Sequence, residues 1–403
     1  MIFFKLNSFP QVSETFIVTN LIYAKQNGFK LKILVDRYLG LENSSQKELL
    51  QQYDINKDIV ASPSLNKSSY INFFQVIKML SHWKVSAYTW KYYKLKRKKN
   101  LTPLTTLYQY RNLNNSCTHV HFNTALKPLV ELSRIGFINP KCIVTFHGYD
   151  AFIETKESFQ HKYGEFYVKH VVAVTVNSAY LKQKVIKLGI APSKITIIPI
   201  GIDFSRFQGL PKSLSQSKSI RLLTVGRLVQ LKGQLYGIQA LKLLLDKGYN
   251  VNYDIVGAGN YESILKAEVE RLNLSDNVYF LGSQSQSEVI ETMKGVDLFI
   301  MPSTYDDLSN RREAFGLVSL EAQAIGLPVV GFVSGGFPDT IIEGKTGYAV
   351  EDRNENALAE KIEFLLEHPE VFETMSKAAI ENAKTFDLKF TTQKYLDLYE
   401  KYQ

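Results

Sequence analysis

Short apolar runs bounded by turn residues alternate with helical patterns along nearly all of the 403 residues, and the alternation restarts near the middle of the chain. Strand, helix and strand in succession wind into a parallel sheet with both faces covered, so this pattern predicts an α/β protein. In the first half, strands are expected at Ile2–Leu6, Leu31–Val35, Val120–Phe122, Cys142–Phe146, Val171–Val176 and Ile195–Pro199. One helix is expected from Ser13, a good N-cap, to near Gly28, and another from near Ser178 to near Gly189. The stretch from about Gly40 to Thr118 is less regular. The second half predicts strands Ile220–Val225, Asn252–Val256, Val278–Leu281, Asp297–Met301 and Pro328–Gly331. Between them fall helices Gln234–Lys247, Glu262–Leu272, Ser287–Met293 and Phe315–Ile325.

A chain of this length exceeds one ordinary hydrophobic core and suits two domains. Residues 1–204 and 220–380 are the expected domains, with a linker at 205–219, where Ser, Gln, Lys and Gly accumulate. Residues 381–403 are expected to form a C-terminal helix that packs back towards the first domain. Hydrophobic content of 45% and charged content of 22% are globular values. No apolar run approaches the ~20 residues of a membrane-spanning helix. The opening Met1-Ile2-Phe3-Phe4-Lys5-Leu6 reads as a buried strand rather than a signal peptide. Cys117 and Cys142 supply neither a disulfide framework nor zinc-site spacing, which points to a reducing, cytoplasmic setting.

The net charge of +9 is unevenly distributed. Residues 1–200 carry 27 Lys/Arg against 11 Asp/Glu, whereas residues 201–403 carry 21 against 28. The first half is therefore suited to an anionic surface or ligand. Its densest cluster, Lys91-Tyr92-Tyr93-Lys94-Leu95-Lys96-Arg97-Lys98-Lys99, follows the apolar run Ile71–Leu80 and the aromatics Trp83, Tyr88 and Trp90. Residues 70–99 combine amphipathic, aromatic and basic character, which favours an anionic membrane surface over nucleic acid. A soluble helix with a solvated basic end is the plainer alternative. No nucleic-acid-binding motif is present.

Neither half has a G-x-G-x-x-G fingerprint, so a nicotinamide dehydrogenase lacks its main support. Gly257-Ala258-Gly259 is consistent with a tight turn after a strand. At the end of the second half's first strand stands Gly226-Arg227-Leu228-Val229-Gln230-Leu231-Lys232-Gly233. Open α/β sheets bind ligands at the C-terminal ends of their strands. Arg227 and Lys232 emerging there can neutralise a diphosphate and stabilise it as it departs. Two surface bases beside a turn are the alternative.

Farther on, Arg311-Arg312-Glu313-Ala314-Phe315-Gly316-Leu317-Val318-Ser319-Leu320-Glu321 places two glutamates eight positions apart around a glycine-bearing turn. At about 1.5 Å of helical rise per residue the carboxylates would lie ~12 Å apart, too far to share a proton or a metal. They suit opposite ends of an elongated ligand whose anionic middle rests on helix-start amides. A nucleoside diphosphate sugar has that shape; a solvated helix face is the alternative.

The ordered set of motifs resembles the family 4 glycosyltransferases. It comprises the Gly226–Gly233 segment, the Glu313/Glu321 pair, Asp297–Ser303, Glu321–Val330, Gly335-Gly336-Phe337-Pro338-Asp339, His147-Gly148-Tyr149-Asp150 and Ser193–Asp203. The resemblance implies the GT-B fold, two Rossmann-like doubly wound domains facing each other across a cleft. It implies a retaining, metal-independent hexosyltransferase with no cofactor, whose nucleotide sugar (UDP- or GDP-linked) is a co-substrate. Arg227 and Lys232 would hold the donor diphosphate, and Glu313 the donor-sugar hydroxyls. The amides of Phe315, Gly316 and Leu317 would lie near sugar and phosphate, Glu321 on the ribose, and Gly226 and Gly257 along the donor. His147 would reach the sugar from the first domain, a buried structural histidine being the alternative. Asp150 is a further cleft residue or a cap. Ala314 and Asp339 stand where many relatives carry Gly and Glu, a departure bearing on donor-sugar preference.

The start Ser8-Phe9-Pro10-Gln11-Val12-Ser13-Glu14-Thr15-Phe16-Ile17 and the strand Thr118-His119-Val120-His121-Phe122 resemble exopolysaccharide transferases of the colanic-acid type. That resemblance implies a growing surface polysaccharide, lipopolysaccharide or lipid-linked glycan as acceptor, with Glu14 near acceptor or donor or merely at a helix start. It implies work at the inner face of the cell membrane by a peripheral protein. The family expectation is front-face transfer through an oxocarbenium-like state, a leaving phosphate oxygen helping to take the acceptor proton. A GT-B nucleotide-sugar epimerase and a non-catalytic membrane-surface protein are the alternative readings.

Overall fold

The structure, a computed structural model, describes residues 1–11, 14–44, 46–63, 69–97, 100–214 and 219–403, with backbone alone at 69–72. The expected N-cap Ser13, the pair Lys98-Lys99 and residues 215–218 of the expected linker lie outside the described residues.

Two compact units are present: residues 1–176, 182–198 and 392–403 form one, and 177–181 with 199–391 the other. The first is built on seven strands: β1 (Ile2–Phe9), β2 (Leu31–Tyr38), β3 (Ile59–Ala61), β4 (Cys117–His121), β5 (Lys141–Thr145), β6 (Val171–Val176) and β7 (Ile195–Ile197). Their order is β3-β2-β1-β4-β5-β6-β7, with every pair parallel. The second holds β8 (Ile220–Val225), β9 (Val251–Val256), β10 (Val278–Gly282), β11 (Leu298–Met301), β12 (Val329–Phe332) and β13 (Gly347–Val350). These run β10-β9-β8-β11-β12-β13, again all parallel. Each sheet is doubly wound, and its strand order reverses between β1 and β4 or between β8 and β11. Ligands bind at such switch points because the loops there diverge to opposite faces.

The strands read from apolar runs are present, several shifted by one or a few residues. Their central positions, such as Phe4, Ile33, Val144, Leu223, Ile255 and Phe299, are fully buried, as expected of parallel strands covered on both sides. Strands β3 and β13 escaped the reading because they are three and four residues long with little apolar contrast. The irregular stretch from Gly40 to Thr118 contains helices Lys47–Gln52, Ser69–Leu80, Trp83–Lys96 and Thr102–Tyr110.

Three expected boundaries change. Residues 205–214 are not a free connector: Phe207 is buried in the core under β11 and β12, and the Gly209 amide donates to the Ala324 carbonyl over 3.2 Å. The second unit takes in Asn177–Leu181 and resumes at Pro199, whereas the first domain was expected to run to 204 and the second to start at 220. Instead of one helix over 381–403, helix Pro369–Thr385 ends before Phe386-Asp387 and helix Leu388–Tyr402 follows. The last part of that helix puts Tyr395, Leu396 and Tyr399 into the first unit's core.

Candidate functional site

In the second unit, the residues at the β8/β11 switch point are placed by close backbone packing. The Gly226 amide donates to the Val256 carbonyl over 2.9 Å, and the Leu228 amide to the Ala258 carbonyl over 3.0 Å. Gly257 has φ 139°, and a Cβ there would lie 1.9 Å from the Gly226 carbonyl oxygen. Only glycine permits that approach. The chain then makes a tight turn at Gln230–Lys232, which sends the Lys232 side chain back over Gly226. Lys232 Nζ meets Glu313 Oε2 at 2.5 Å, and both side chains are largely buried. Arg227, five residues earlier, is exposed and has no side-chain partner among the described residues. One cation is thus committed to a carboxylate while the other stands free beside it.

Glu313 lies in the loop before helix Leu317–Ile325, not on the helix, so axial rise does not give its distance from Glu321. The loop is fixed from three sides. Phe315 is buried in the core. Arg312 pairs with Asp352 and donates to Ser334 Oγ over 3.1 Å. From behind, the Gly336 amide donates to the Glu313 carbonyl over 2.9 Å. Gly335 has φ 63°, and a Cβ there would fall 1.8 Å from that same carbonyl oxygen. Ala314, one of the departures from the family pattern, has its carbonyl oxygen 2.2 Å from where a Gly336 Cβ would sit.

Gly316 caps the helix in the left-handed region, so the helix starts at Leu317 rather than Phe315. The first amides of a helix have no intrahelical acceptor and present partial positive charge. Beneath the helix a buried polar network sets its rotation. Gln323 Nε2 donates to the Thr340 carbonyl over 2.8 Å, Asn382 Nδ2 to Gln323 Oε1 over 2.7 Å, and Thr340 Oγ1 to Ser319 Oγ over 2.9 Å.

Glu321, on the same helix, has its carboxyl pushed up to about 7 by burial, against the opposing pull of Arg206 and a hydrogen bond with Gln286. Arg206 Nη1 donates in turn to Gln286 Oε1 over 2.6 Å. Neither Arg206 nor Gln286 was expected at the site. Arg206 lies in the presumed linker and Gln286 opens a helix 80 residues away. No spacing rule connects them to Glu321.

In the first unit the loops after β1, β4 and β5 converge at the other switch point. Two histidines of β4 and one from the turn after β5 lie ring against ring: His119 and His121 centroids are 4.0 Å apart, and His121 and His147 rings are near-parallel at 5.3 Å. His121 Nδ1 and His147 Nε2 share a hydrogen bond of 3.1 Å. His119 bonds Tyr399 Oη and Thr145 Oγ1, each at 2.6 Å. Burial holds His119 and His147 down to about 3 and depresses His121 as well, so all three are neutral at physiological pH. His147 is partly exposed, between Phe16 at 4.7 Å and Phe122 at 4.5 Å. It offers a neutral donor or acceptor, not a charge.

Asp150 is buried and accepts from the amides of Asn123 (2.8 Å), His147 (3.0 Å) and Gly148 (3.2 Å). It braces the histidine loop from within, as the capping alternative for this residue requires. Burial raises its carboxyl to about 6 even though the amides favour the ionised form. Glu14 stands at the N-cap of helix Thr15–Gln26 but makes no capping bond. Its Oε1 accepts from Gln11 Nε2 over 2.9 Å, whereas buried Oε2 has no partner among the described residues, and burial raises the carboxyl to about 7.

The chain's likenesses agree with this layout. Residues 206–385 match the family described as Glycosyl transferases group 1, and residues 88–206 match Glycosyltransferase Family 4. WcaL of Escherichia coli, named for colanic acid biosynthesis as a glycosyltransferase, is 27% identical over 60% of this chain and 59% of its own length. CapM of Staphylococcus aureus, a capsular polysaccharide biosynthesis glycosyltransferase, is 31% identical over 60% of this chain and 64% of its own. The matched part thus spans about three fifths of these relatives. The Anabaena protein Alr3699/HepE, solved in complex with UDP, superposes with a TM-score of 0.73 over 99% of both chains at 19% identity. A glycosyltransferase from Rickettsia africae superposes at 0.70, covering 100% of this chain and 98% of its own at 19% identity. The fold is therefore GT-B, and the chain belongs to the family 4 glycosyltransferases.

Proposed function

We propose that this protein transfers a sugar from a nucleoside diphosphate donor to a hydroxyl of a growing surface polysaccharide or lipid-linked glycan, with the anomeric configuration retained. The observation that carries the reading is the half-buried Lys232–Glu313 pair beside Arg227, which has no side-chain partner among the described residues, at the switch point where a helix N-terminus opens. Arg227 and Lys232 take the diphosphate, and their charge stabilises it as the glycosidic bond breaks. Glu313, held by Lys232, accepts from donor-sugar hydroxyls. Glu321 accepts from the ribose hydroxyls, with Gln286 and Arg206 keeping its carboxyl oriented. The amides of Phe315, Gly316 and Leu317 line the sugar–phosphate junction. His147 acts as a neutral hydrogen-bonding group towards the sugar, and Glu14 accepts from an acceptor hydroxyl.

The two bases carry the charge neutralisation, so the reaction proceeds without a divalent metal. The named activities of WcaL and CapM support a polysaccharide acceptor, and the UDP in Alr3699/HepE supports a nucleotide donor. The test is to incubate the protein with UDP- and GDP-sugars and a lipid-linked acceptor in excess chelator, and to read the product anomer by NMR. A retained anomer in chelator is the expected result. An inverted anomer overturns the stereochemical reading, loss of turnover restored by Mg²⁺ or Mn²⁺ overturns the metal-free one, and donor isomerisation without acceptor points to an epimerase.

A further inference from the structure

From Ile59 to Val130 the sequence has no Asp or Glu and 11 Lys or Arg. Within this stretch lie helices Ser69–Leu80 and Trp83–Lys96, which pack on each other in the first unit. The second of these is oriented by its inner face: Val85 and Tyr92 are buried, Tyr92 Oη donates to Glu131 over 3.0 Å, and Lys96 pairs with Glu131 at 2.9 Å. Its outer face is Trp83, Ala87, Trp90 and Lys94, spaced i, i+4, i+7 and i+11, all exposed, and exposed Arg97 follows as the left-handed cap. The two tryptophans are 75% and 74% exposed. Next to them the first helix turns out Phe73, Phe74, Ile77 and Leu80 and buries Met79. Four aromatic rings at that exposure leave on the order of 500 Å² of aromatic surface uncovered, the size of patch that marks an interaction site. Lys78, Lys94 and Arg97 have no ion pair among the described residues, and Lys94 Nζ lies 5.4 Å from the Trp90 ring centroid.

We propose that this two-helix face docks the protein on an anionic lipid bilayer, with the aromatic and aliphatic side chains entering the headgroup–acyl boundary and the cations meeting lipid phosphates. Indole rings favour that boundary, and amphipathic helices lie in its plane. The stretch's uniform positive charge complements an anionic leaflet and disfavours a second copy of the same face. Exposed Ile77, Leu80 and Phe73 beside the cations have a use in acyl chains, whereas nucleic acid gives aliphatic side chains little to contact. Docking is independent of glycosyl transfer and can be tested without a donor.

Trp83 and Trp90 are the chain's two tryptophans, so intrinsic fluorescence reports this face alone. With vesicles containing phosphatidylglycerol, the emission should shift to the blue, be quenched by brominated acyl chains and return on raising salt. Phosphatidylcholine vesicles should give a weaker response. In co-sedimentation, Lys78→Gln and Lys94→Gln should each weaken binding about fivefold, and Phe73→Ser with Phe74→Ser at least tenfold. The unaltered circular-dichroism melt of these variants would show that they are folded. No spectral change and no co-sedimentation with phosphatidylglycerol vesicles overturns the proposal. So does a blue shift that grows with protein concentration in the absence of lipid, which would signify self-association. A response to RNA in place of vesicles, or variants that bind as well as the parent, overturns it equally.

Discussion

Lys232 is asked to do two things. It compensates Glu313, and in the proposed reaction it also faces the donor diphosphate. Lys232→Ala should therefore lower turnover by about a hundredfold or more, the usual loss when one charge-stabilising group is removed, and also leave Glu313 without its partner. Initial rates at saturating donor measure the first effect. Glu321 makes a different prediction. Its carboxyl is raised to about 7 by burial, so between about pH 4.5 and 7 the folded protein holds a proton that the unfolded chain releases. The empty protein should lose stability as pH rises through that window, by at most about 3 kcal/mol from this group. Glu321→Gln should match the parent at pH 4.5 and melt a few degrees higher at pH 8, while binding nucleotide at least tenfold more weakly. Melting curves across pH test the sign, and a variant less stable than its parent at pH 8 would refute the burial argument. Arg227, Lys232, Glu313 and Glu321 were legible because short motifs carry them. Arg206 and Gln286 were not, because they meet Glu321 only through the folding of a segment that composition marked as a linker.

At the scale of elements, the donor-site loop depends on what stands behind it. Gly335→Ala would need both a left-handed φ for a residue with a side chain and a Cβ only 1.8 Å from the Glu313 carbonyl oxygen. The loop must move, and activity should fall by at least tenfold while the second sheet stays folded. Activity together with far-ultraviolet circular dichroism separates the two. Asp150→Asn is the counterpart in the first unit. A carboxylate that accepts three amides is replaced by a group with one acceptor oxygen, costing about 1–3 kcal/mol for the amide left unpaired. Thermal denaturation should register a loss of several degrees. The strands and the helices of the second half were readable because apolar runs and capping signals coincide. The helix after Glu313 starts two residues later than expected because Phe315 goes into the core and Gly316 takes the cap. The helices of the basic stretch were obscured because their outward faces carry aromatic and aliphatic residues, which erases the polar side of the period.

For the whole molecule, two sheets of the same winding arise from one chain, each built of parallel strands joined by crossover connections. The chain does not end where its second unit ends. Helix Leu388–Tyr402 begins beside Ile202, where the Leu388 amide donates to the Ile202 carbonyl over 2.9 Å. It then places Tyr395, Leu396 and Tyr399 in the first unit's core, with Tyr399 Oη on His119. Removing residues 388–403 should therefore destabilise the first unit although the cut lies at the far end of the sequence. A protease-resistance assay should show residues 1–198 becoming labile before 199–387. A C-terminal helix packing back towards the first domain was expected from residue 381; the sequence does not show which of its residues enter that core, because Tyr395 and Tyr399 read as an ordinary amphipathic helix face whichever unit they cover.

The most direct test of the donor site is calorimetric titration of UDP- and GDP-sugars into the parent protein and into Glu321→Ala and Arg227→Ala. The arrangement at the β8/β11 switch point requires one-to-one binding of at least one nucleoside diphosphate sugar to the parent. It requires that affinity to drop at least tenfold in Glu321→Ala and turnover to drop more than affinity in Arg227→Ala. No binding of any nucleoside diphosphate sugar at millimolar concentration, or unchanged binding in Glu321→Ala, would contradict it.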